Sequence, residues 1–243
     1  MRAVILSGSG RTADPWHPYA DTSLVLAGIA REAGFDVEIV LGPLEGLASL
    51  DDDVRVVIVN AGDPDGPIPD GDPDPGDPSP ELVSRAADGL DRALDRGVGV
   101  LAVHSAAATL RELPAYGEAL GGRWVRDRSW HPEIGEAHVH IVGNHAIADG
   151  LADFTVFDER YTDLPLTGVI EPIAEHEEAG IRHPLVWARE LGRSRVVYSG
   201  LGHDLRSYES AAHRDLVHRA LRWLRQVPAP TAGHPLADAG SPA

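Results

Sequence analysis

Four short, largely apolar runs separated by helix-patterned segments constrain this chain more than any other feature. Ala3–Leu6, Val37–Leu41, Val54–Val59 and Gly99–Val103 each read as a strand, and the first enters the glycine turn Ser7-Gly8-Ser9-Gly10. A strand that is apolar nearly throughout must be covered on both faces, unlike one that alternates apolar with polar. The segments between them supply the cover. Asp21–Ala33 places Leu24, Leu26, Ile29 and Ala30 at helical spacing, with Asp21 as N-cap and Gly34 as stop. Pro80–Arg96 reads as a second helix, closed by Gly97. This alternation predicts an α/β fold: a mostly parallel sheet with helices on both faces. After His140 the pattern changes to shorter strands and hairpins, which predicts antiparallel additions in the C-terminal half.

At 243 residues the chain suits one α/β domain, expected over 1–226. Residues 62–80, GDPDGPIPDGDPDPGDPSP, are nearly all Asp, Pro and Gly and read as an exposed, stiff loop insertion, dispensable for folding. Asp70, Asp72 and Asp74 do not make a calcium loop, because prolines restrict the turn and no glutamate closes it. Residues 227–243 lack periodicity and are expected to be a disordered tail.

The balance of charge and the missing residue types exclude several function classes. A formal charge of −17 argues against nucleic-acid and anionic-membrane partners, which need basic footprints. The chain contains no lysine, so Schiff-base and P-loop lysines are excluded, and no cysteine, so thiol nucleophiles and thiolate metal sites are excluded too. Arg2–Leu6 is too short for a signal peptide and no apolar run approaches a membrane span, so a cytoplasmic location is expected. Gly8-Ser9-Gly10-Arg11-Thr12-Ala13 matches the dinucleotide fingerprint formally. Asp14-Pro15-Trp16-His17-Pro18 follows it, however, and VEIVL lacks the ribose-binding acidic residue, so no nicotinamide cofactor is expected.

Histidines at strand and loop ends carry the chemistry. IRHPLVWARE and SRVVYSGLGHD read as a hairpin around Leu191-Gly192-Arg193, and antiparallel pairing should bring His183 and His203 together, flanked by Trp187 and Tyr198. In VGVLAVHSAAATL, Ala102 and Ala106 bracket His104 as small residues bracket a nucleophile on a strand-to-helix elbow, leaving Ser105 one place off. Asp204 stands next to His203, where a carboxylate can fix a tautomer. His131 lies in RSWHPEIG and His17 beside Trp16, each on a loop. In Asp158-Glu159-Arg160-Tyr161, Glu159 is the better general acid or base, with Asp158 and Arg160 pairing locally. His138, His140, His213 and His218 are expected at partly exposed surface. Trp16, Trp124, Trp130, Trp187 and Tyr161 suit stacking on sugar rings, and core packing accounts for some of them equally well. Three imidazoles with Glu159 would suit a divalent metal, zinc or manganese, with His104, His131 and His203 as candidate ligands.

These pieces together resemble the trehalose-utilisation, or ThuA-like, family. The blocks that carry the resemblance are GVGVLAVHSAA (97–107), LGGRWVRDRSWHPEIGEAHVHIV (120–142), HAIADGLADFTVFDERYTDL (145–164), the LGH ending and the closing helix HRDLVHRALRWL (213–224). The resemblance implies a flavodoxin-like, class I glutamine amidotransferase-like fold and a link to disaccharide metabolism. It also implies that His104 stands where amidotransferases carry their cysteine and His203 where they carry their histidine, so glutamine hydrolysis through a thioester is not available here. The resulting expectation is an enzyme acting on a disaccharide or keto-sugar by acid–base chemistry at His104, Glu159 and His203. His17, His131, Tyr161, His183 and Trp187 would bind the sugar. The expected partner is that small-molecule sugar, with a homodimer left open. The alternative is a non-catalytic carbohydrate-binding or regulatory protein on the same scaffold.

Overall fold

The computed structural model describes residues 1–72 and 74–225, so the tail expected at 227–243 lies outside the described residues. One sheet of nine strands organises the chain in the order β2-β1-β3-β4-β9-β8-β7-β5-β6. The first five in that order pair parallel: β2 (Asp36–Leu41), β1 (Arg2–Ser7), β3 (Val54–Asn60), β4 (Gly99–Val103) and β9 (Ser194–Ser199). The rest pair antiparallel: β8 (Ile181–Leu191), β7 (Glu171–Glu178), β5 (Gly135–Ile141) and β6 (Phe154–Asp158). The change of sense falls at β9, so the antiparallel additions form one flank of the sheet.

Strand side chains alternate between two cores, as the two-residue period requires. Ala3, Ile5, Val56, Ile58, Leu101 and Val103 face α1 (Tyr19–Glu32) and α5 (Ala211–Leu224). Val4, Leu6, Val57, Val59 and Val100 face α2 (Pro43–Ala48), α3 (Pro80–Arg96) and α4 (Pro114–Leu120). Among the described residues no helix is long and apolar enough to cross a membrane.

Local signals account for most boundaries. The Ser79 side chain accepts from the Leu82 amide, Pro80 opens α3, and Gly97 closes it in the left-handed conformation. The periodicity expected from Asp21 begins two residues earlier, at Tyr19, because Pro18 occupies the N-cap and Asp21 lies in the first turn. The glycine turn leads into a 3-10 turn at Gly10–Thr12 and then an extended Ala13, with Pro18 capping α1. Sequence periodicity missed α2 and α4, which are only 6 and 7 residues long and start at prolines.

One expectation is corrected by packing. His213 is fully buried, stacked on Tyr208 and bonded to Ser207, because it lies on the same stripe of α5 as Leu216, Val217, Ala220 and Leu224. The acidic loop is exposed over most of its length and anchored at its start. Asp63 pairs with Arg111 at 3.0 Å and with Arg126 at 3.1 Å, while Arg11 approaches Asp65 at 3.8 Å. Its first residues are thereby held against the carboxyl edge of the sheet.

Candidate active site

The site grows from the end of β4. His104 follows Val103 directly and begins a 3-10 turn, His104–Ala107, with φ of +52°. A non-glycine residue in the left-handed region is uncommon, and such strain collects at functional positions. The backbone is anchored by the Tyr198 hydroxyl, which donates to the His104 carbonyl at 3.1 Å. The ring is anchored by its own Nδ1, 2.7 Å from the Gly200 carbonyl. A carbonyl only accepts, so Nδ1 carries the proton and Nε2 faces the neighbouring segments.

Those neighbours come from two other strand ends and one loop. Asp158 is completely buried and accepts from the amides of Glu159, Gly202 and His203 and from the Ser207 hydroxyl. It is therefore a clamp between the end of β6 and the loop after β9. It does not pair with Arg160, which bonds Glu178 instead. Gly202 has a φ of +120°, and a Cβ there would lie 2.7 Å from Val103 and 2.8 Å from the Tyr208 hydroxyl. The clamp and this turn deliver Glu159 and His203 to His104. Glu159 Oε2 lies 3.3 Å from both His104 Nε2 and His203 Nδ1, and those two nitrogens are 3.3 Å apart.

His17 completes the group. Asp14 accepts from the Trp16 and His17 amides in an Asx turn, and both its oxygens approach His17 Nδ1, at 2.7 and 2.8 Å. Tyr19 donates its hydroxyl to the same carboxylate. Gly62 permits this packing, since a Cβ there would come within 2.4 Å of the Tyr19 hydroxyl. The His17 ring meets His203 edge-on at 4.5 Å between centroids and His104 at 5.0 Å. One ligand-type atom from each of His17, His104, Glu159 and His203 lies within 4.8 Å of all the others. Among the described residues, these four are the group that could hold a metal.

Burial and charge act on these groups in opposite directions. Burial opposes ionisation of Glu159, but hydrogen bonds from His104 and His203 hold its carboxyl far below the usual carboxylate range. Burial opposes protonation of His104 too, yet the bond to Glu159 and the charges of Asp158 and Glu159 raise its pKa. His17 goes the other way: burial lowers its pKa, with Asp14 only partly offsetting this and His104 adding to it.

In front of the cluster lies a cavity of about 530 Å³, lined by His17, Glu159, Tyr161, Ser105, Trp16, Trp124 and His131, with Asp63, Asp65 and Pro67 of the acidic loop on one side. Tyr161 packs between His104, at 4.3 Å, and Trp124, at 4.5 Å, with both ring pairs tilted. His131 stands near the opening, its Nε2 3.6 Å from Glu159. His104 and His203 do not line the cavity; they touch Glu159 from behind. The Ser105 hydroxyl donates to the Ala61 carbonyl and bonds the Tyr19 hydroxyl, and among its described hydrogen bonds none involves an imidazole. Nothing there activates it as a nucleophile.

Two residues expected at this pocket are elsewhere. Trp187 is fully buried, donates to the Leu120 carbonyl and packs on Tyr198, so it is a core residue. His183 stacks on His176 and lines a separate recess with Asp163 and Arg128. The reason is register. β9 pairs with β8 only from Leu191 back to Val186, and His183 lies beyond that overlap, opposite His176 of β7. Asp204 does not serve His203 as a hydrogen-bond partner; it caps the following 3-10 turn and pairs with Arg206. The residues that sequence reasoning missed are Asp14, Tyr19 and Asp63. The Asp14-Pro15-Trp16-His17 spacing, an Asx turn closing on an imidazole, was the available signal.

Comparison with known proteins places this geometry. A family model described as trehalose utilisation matches residues 4–224. The chain belongs to the ThuA family. A ThuA-like protein from Parabacteroides merdae superposes with a TM-score of 0.74 at 18% identity, covering 93% of this chain and 90% of that one. A second, from Bacteroides uniformis, gives 0.67 at 17% identity, with 92% and 91% covered. A glutamine amidotransferase from Thermotoga maritima gives 0.53 at 12% identity, with 93% and 98% covered. At such identities the likeness establishes the fold, which is flavodoxin-like and class I glutamine amidotransferase-like. No protein of curated function matches this chain by sequence.

Proposed function

We propose that this ThuA-family chain acts on a carbohydrate, of the disaccharide or keto-sugar class, in the cavity at the carboxyl edge of its sheet. The observation that carries this reading is the position of Glu159. It lines an aromatic-walled cavity and has one carboxylate oxygen 3.3 Å from two imidazole nitrogens. Trp16 and Trp124 offer flat apolar faces to the C–H face of a sugar ring, and Tyr161 packs against Trp124. Asp63, Asp65 and Arg126 offer acceptors and donors to its hydroxyls. Hydrolysis, elimination and isomerisation of sugars all require a proton to be taken and returned, and Glu159 on the cavity floor is backed by two imidazoles that can exchange protons with it. The family's description as trehalose utilisation supports the substrate class.

The same scaffold without a cysteine also suits a binding or regulatory module. Incubating the protein with trehalose, other disaccharides and their 3-keto forms, with products followed by mass spectrometry, separates the two readings. Conversion that disappears in Glu159→Gln supports the enzyme. Binding without conversion, equal in Glu159→Gln, supports the module.

A further inference from the structure

We infer that the cluster at and behind Glu159, at the base of this cavity, is a binding site for a first-row divalent cation, with His17 Nε2, His104 Nε2, His203 Nδ1 and Glu159 as its ligands. Three observations carry the assignment.

The first is spacing. Bonds of roughly 2.0–2.1 Å to a tetrahedral ion place neighbouring ligand atoms about 3.3 Å apart. Three of the six edges of this group, His104–Glu159, His203–Glu159 and His104–His203, measure 3.3 Å, and one ligand-type atom from each of the four residues lies within 4.8 Å of the others.

The second is an orphaned atom. His17 Nε2 is buried and has no hydrogen-bond partner among the described residues, in a side chain only 10% exposed. Its Nδ1 is committed to Asp14, so the unshared pair of the neutral ring sits on Nε2, the atom left free to bind an ion. Buried polar atoms are nearly always satisfied, so this one calls for an occupant.

The third is the backing of the rings. His104 donates from Nδ1 to the Gly200 carbonyl, and His17 is held by a carboxylate. Metal-binding histidines are oriented in this way, with the far nitrogen bonded to a carbonyl or carboxylate. His131, by contrast, is over a third exposed, and its Nδ1 turns to the Pro132 carbonyl, so His17 takes the place that sequence reading gave to His131.

Three imidazoles and one carboxylate, without a thiolate, fit zinc first and manganese second, and are a poor match for calcium or magnesium. A bound ion would supply Lewis-acid polarisation of a sugar hydroxyl or carbonyl oxygen. That consequence rests on the carbohydrate reading, whereas the cation site itself rests on the four side chains.

The test uses the full chain, stripped with a chelator and titrated with Zn²⁺ and with Mn²⁺ alone by calorimetry. Cobalt substitution read by visible absorption reports the ligand field. One ion per chain is expected, with affinity reduced at least about 100-fold in His17→Gln and His203→Gln. Asp14→Asn, which removes only the backing, should lose roughly 10–100-fold. His140→Gln should bind as the parent does. Melting of each metal-free variant shows that it is folded. A parent that takes up no ion, or His17→Gln and His203→Gln variants with parental affinity, overturns the assignment. Metal uptake without sugar binding would sink the carbohydrate reading and leave the cation site standing; sugar binding without metal uptake would do the reverse.

Discussion

Asp158 accepts a hydrogen bond from the Gly202 amide at 2.8 Å, which ties the end of β6 to the loop after β9 across 44 residues of sequence. The same carboxylate takes the His203 amide, so the residue before Glu159 holds the turn that presents His203. Scaffold and site are thus adjacent in sequence yet distinct in role.

That division gives opposite phenotypes for neighbouring residues. Asp158→Ala leaves three backbone amides and the Ser207 hydroxyl without an acceptor. At about 1–3 kcal/mol for each unsatisfied buried group, the loss should approach the whole stability of the chain. Glu159→Gln, on the cavity floor, should cost no more than about 1–2 kcal/mol and abolish turnover. Denaturant melts of both variants, beside an activity assay of the second, check the pair. Equal destabilisation would contradict the separation.

The tryptophans divide in the same way. Trp187→Ala empties a fully buried site and should cost about 3–5 kcal/mol, with sugar affinity unchanged in the molecules that remain folded. Trp16, 60% exposed at the cavity, should be removable within about 0.5 kcal/mol while sugar affinity falls about tenfold. Thermal melts and titration calorimetry on the two variants give the comparison.

Acid sensitivity should begin near neutrality. Burial holds the pKa of His213 below its ordinary value, against the pull of the Asp158 charge and the Ser207 carbonyl, and burial likewise lowers that of His176. Below about pH 6.5 the unfolded chain therefore takes up protons that the folded chain refuses. Stability contributed by these rings is complete above that pH and is lost as the pH falls toward the folded-state values. Each ring can add up to about 1.4 kcal/mol per pH unit in that window. Urea midpoints of the parent and of His213→Asn at pH 7.5, 6.5 and 5.5 check this. The variant should show a shallower decline, and an identical slope would contradict it.

The acidic loop should matter in its first residues only. Asp63 bridges Arg111 and Arg126 at the cavity wall. Partly exposed pairs of this kind contribute on the order of 1 kcal/mol at most. Asp63→Ala should therefore shift the melting temperature little and weaken sugar binding several-fold. Replacing 68–72 and 74–76 by Gly and Ser should change neither property.

The parallel half of the fold was legible because its signals are local. Apolar runs fixed β3 and β4, and Pro80 with Gly97 fixed α3 to the residue. The convergence of His104, Glu159 and His203 was legible for a similar reason: each lies at or just past a strand end, and in an α/β sheet such ends share one edge. The misplacement of His183 came from treating β8 and β9 as equal in length, whereas Trp187 pairs with Tyr198 as expected but points into the core. β8 has 11 residues and β9 has 6, and strand overhang depends on the neighbour β7, which no local pattern reveals. The burial of His213 was readable in the α5 stripe, but a polar residue type masked it.

If the cavity holds a sugar against the Glu159 group, titration calorimetry of trehalose and its 3-keto derivative against the parent, Trp16→Ala and Glu159→Gln will show it. Binding of at least one sugar to the parent is expected, weakened about tenfold in Trp16→Ala and lost or altered in enthalpy in Glu159→Gln. A folded parent that binds neither sugar, or three proteins that bind alike, would contradict it.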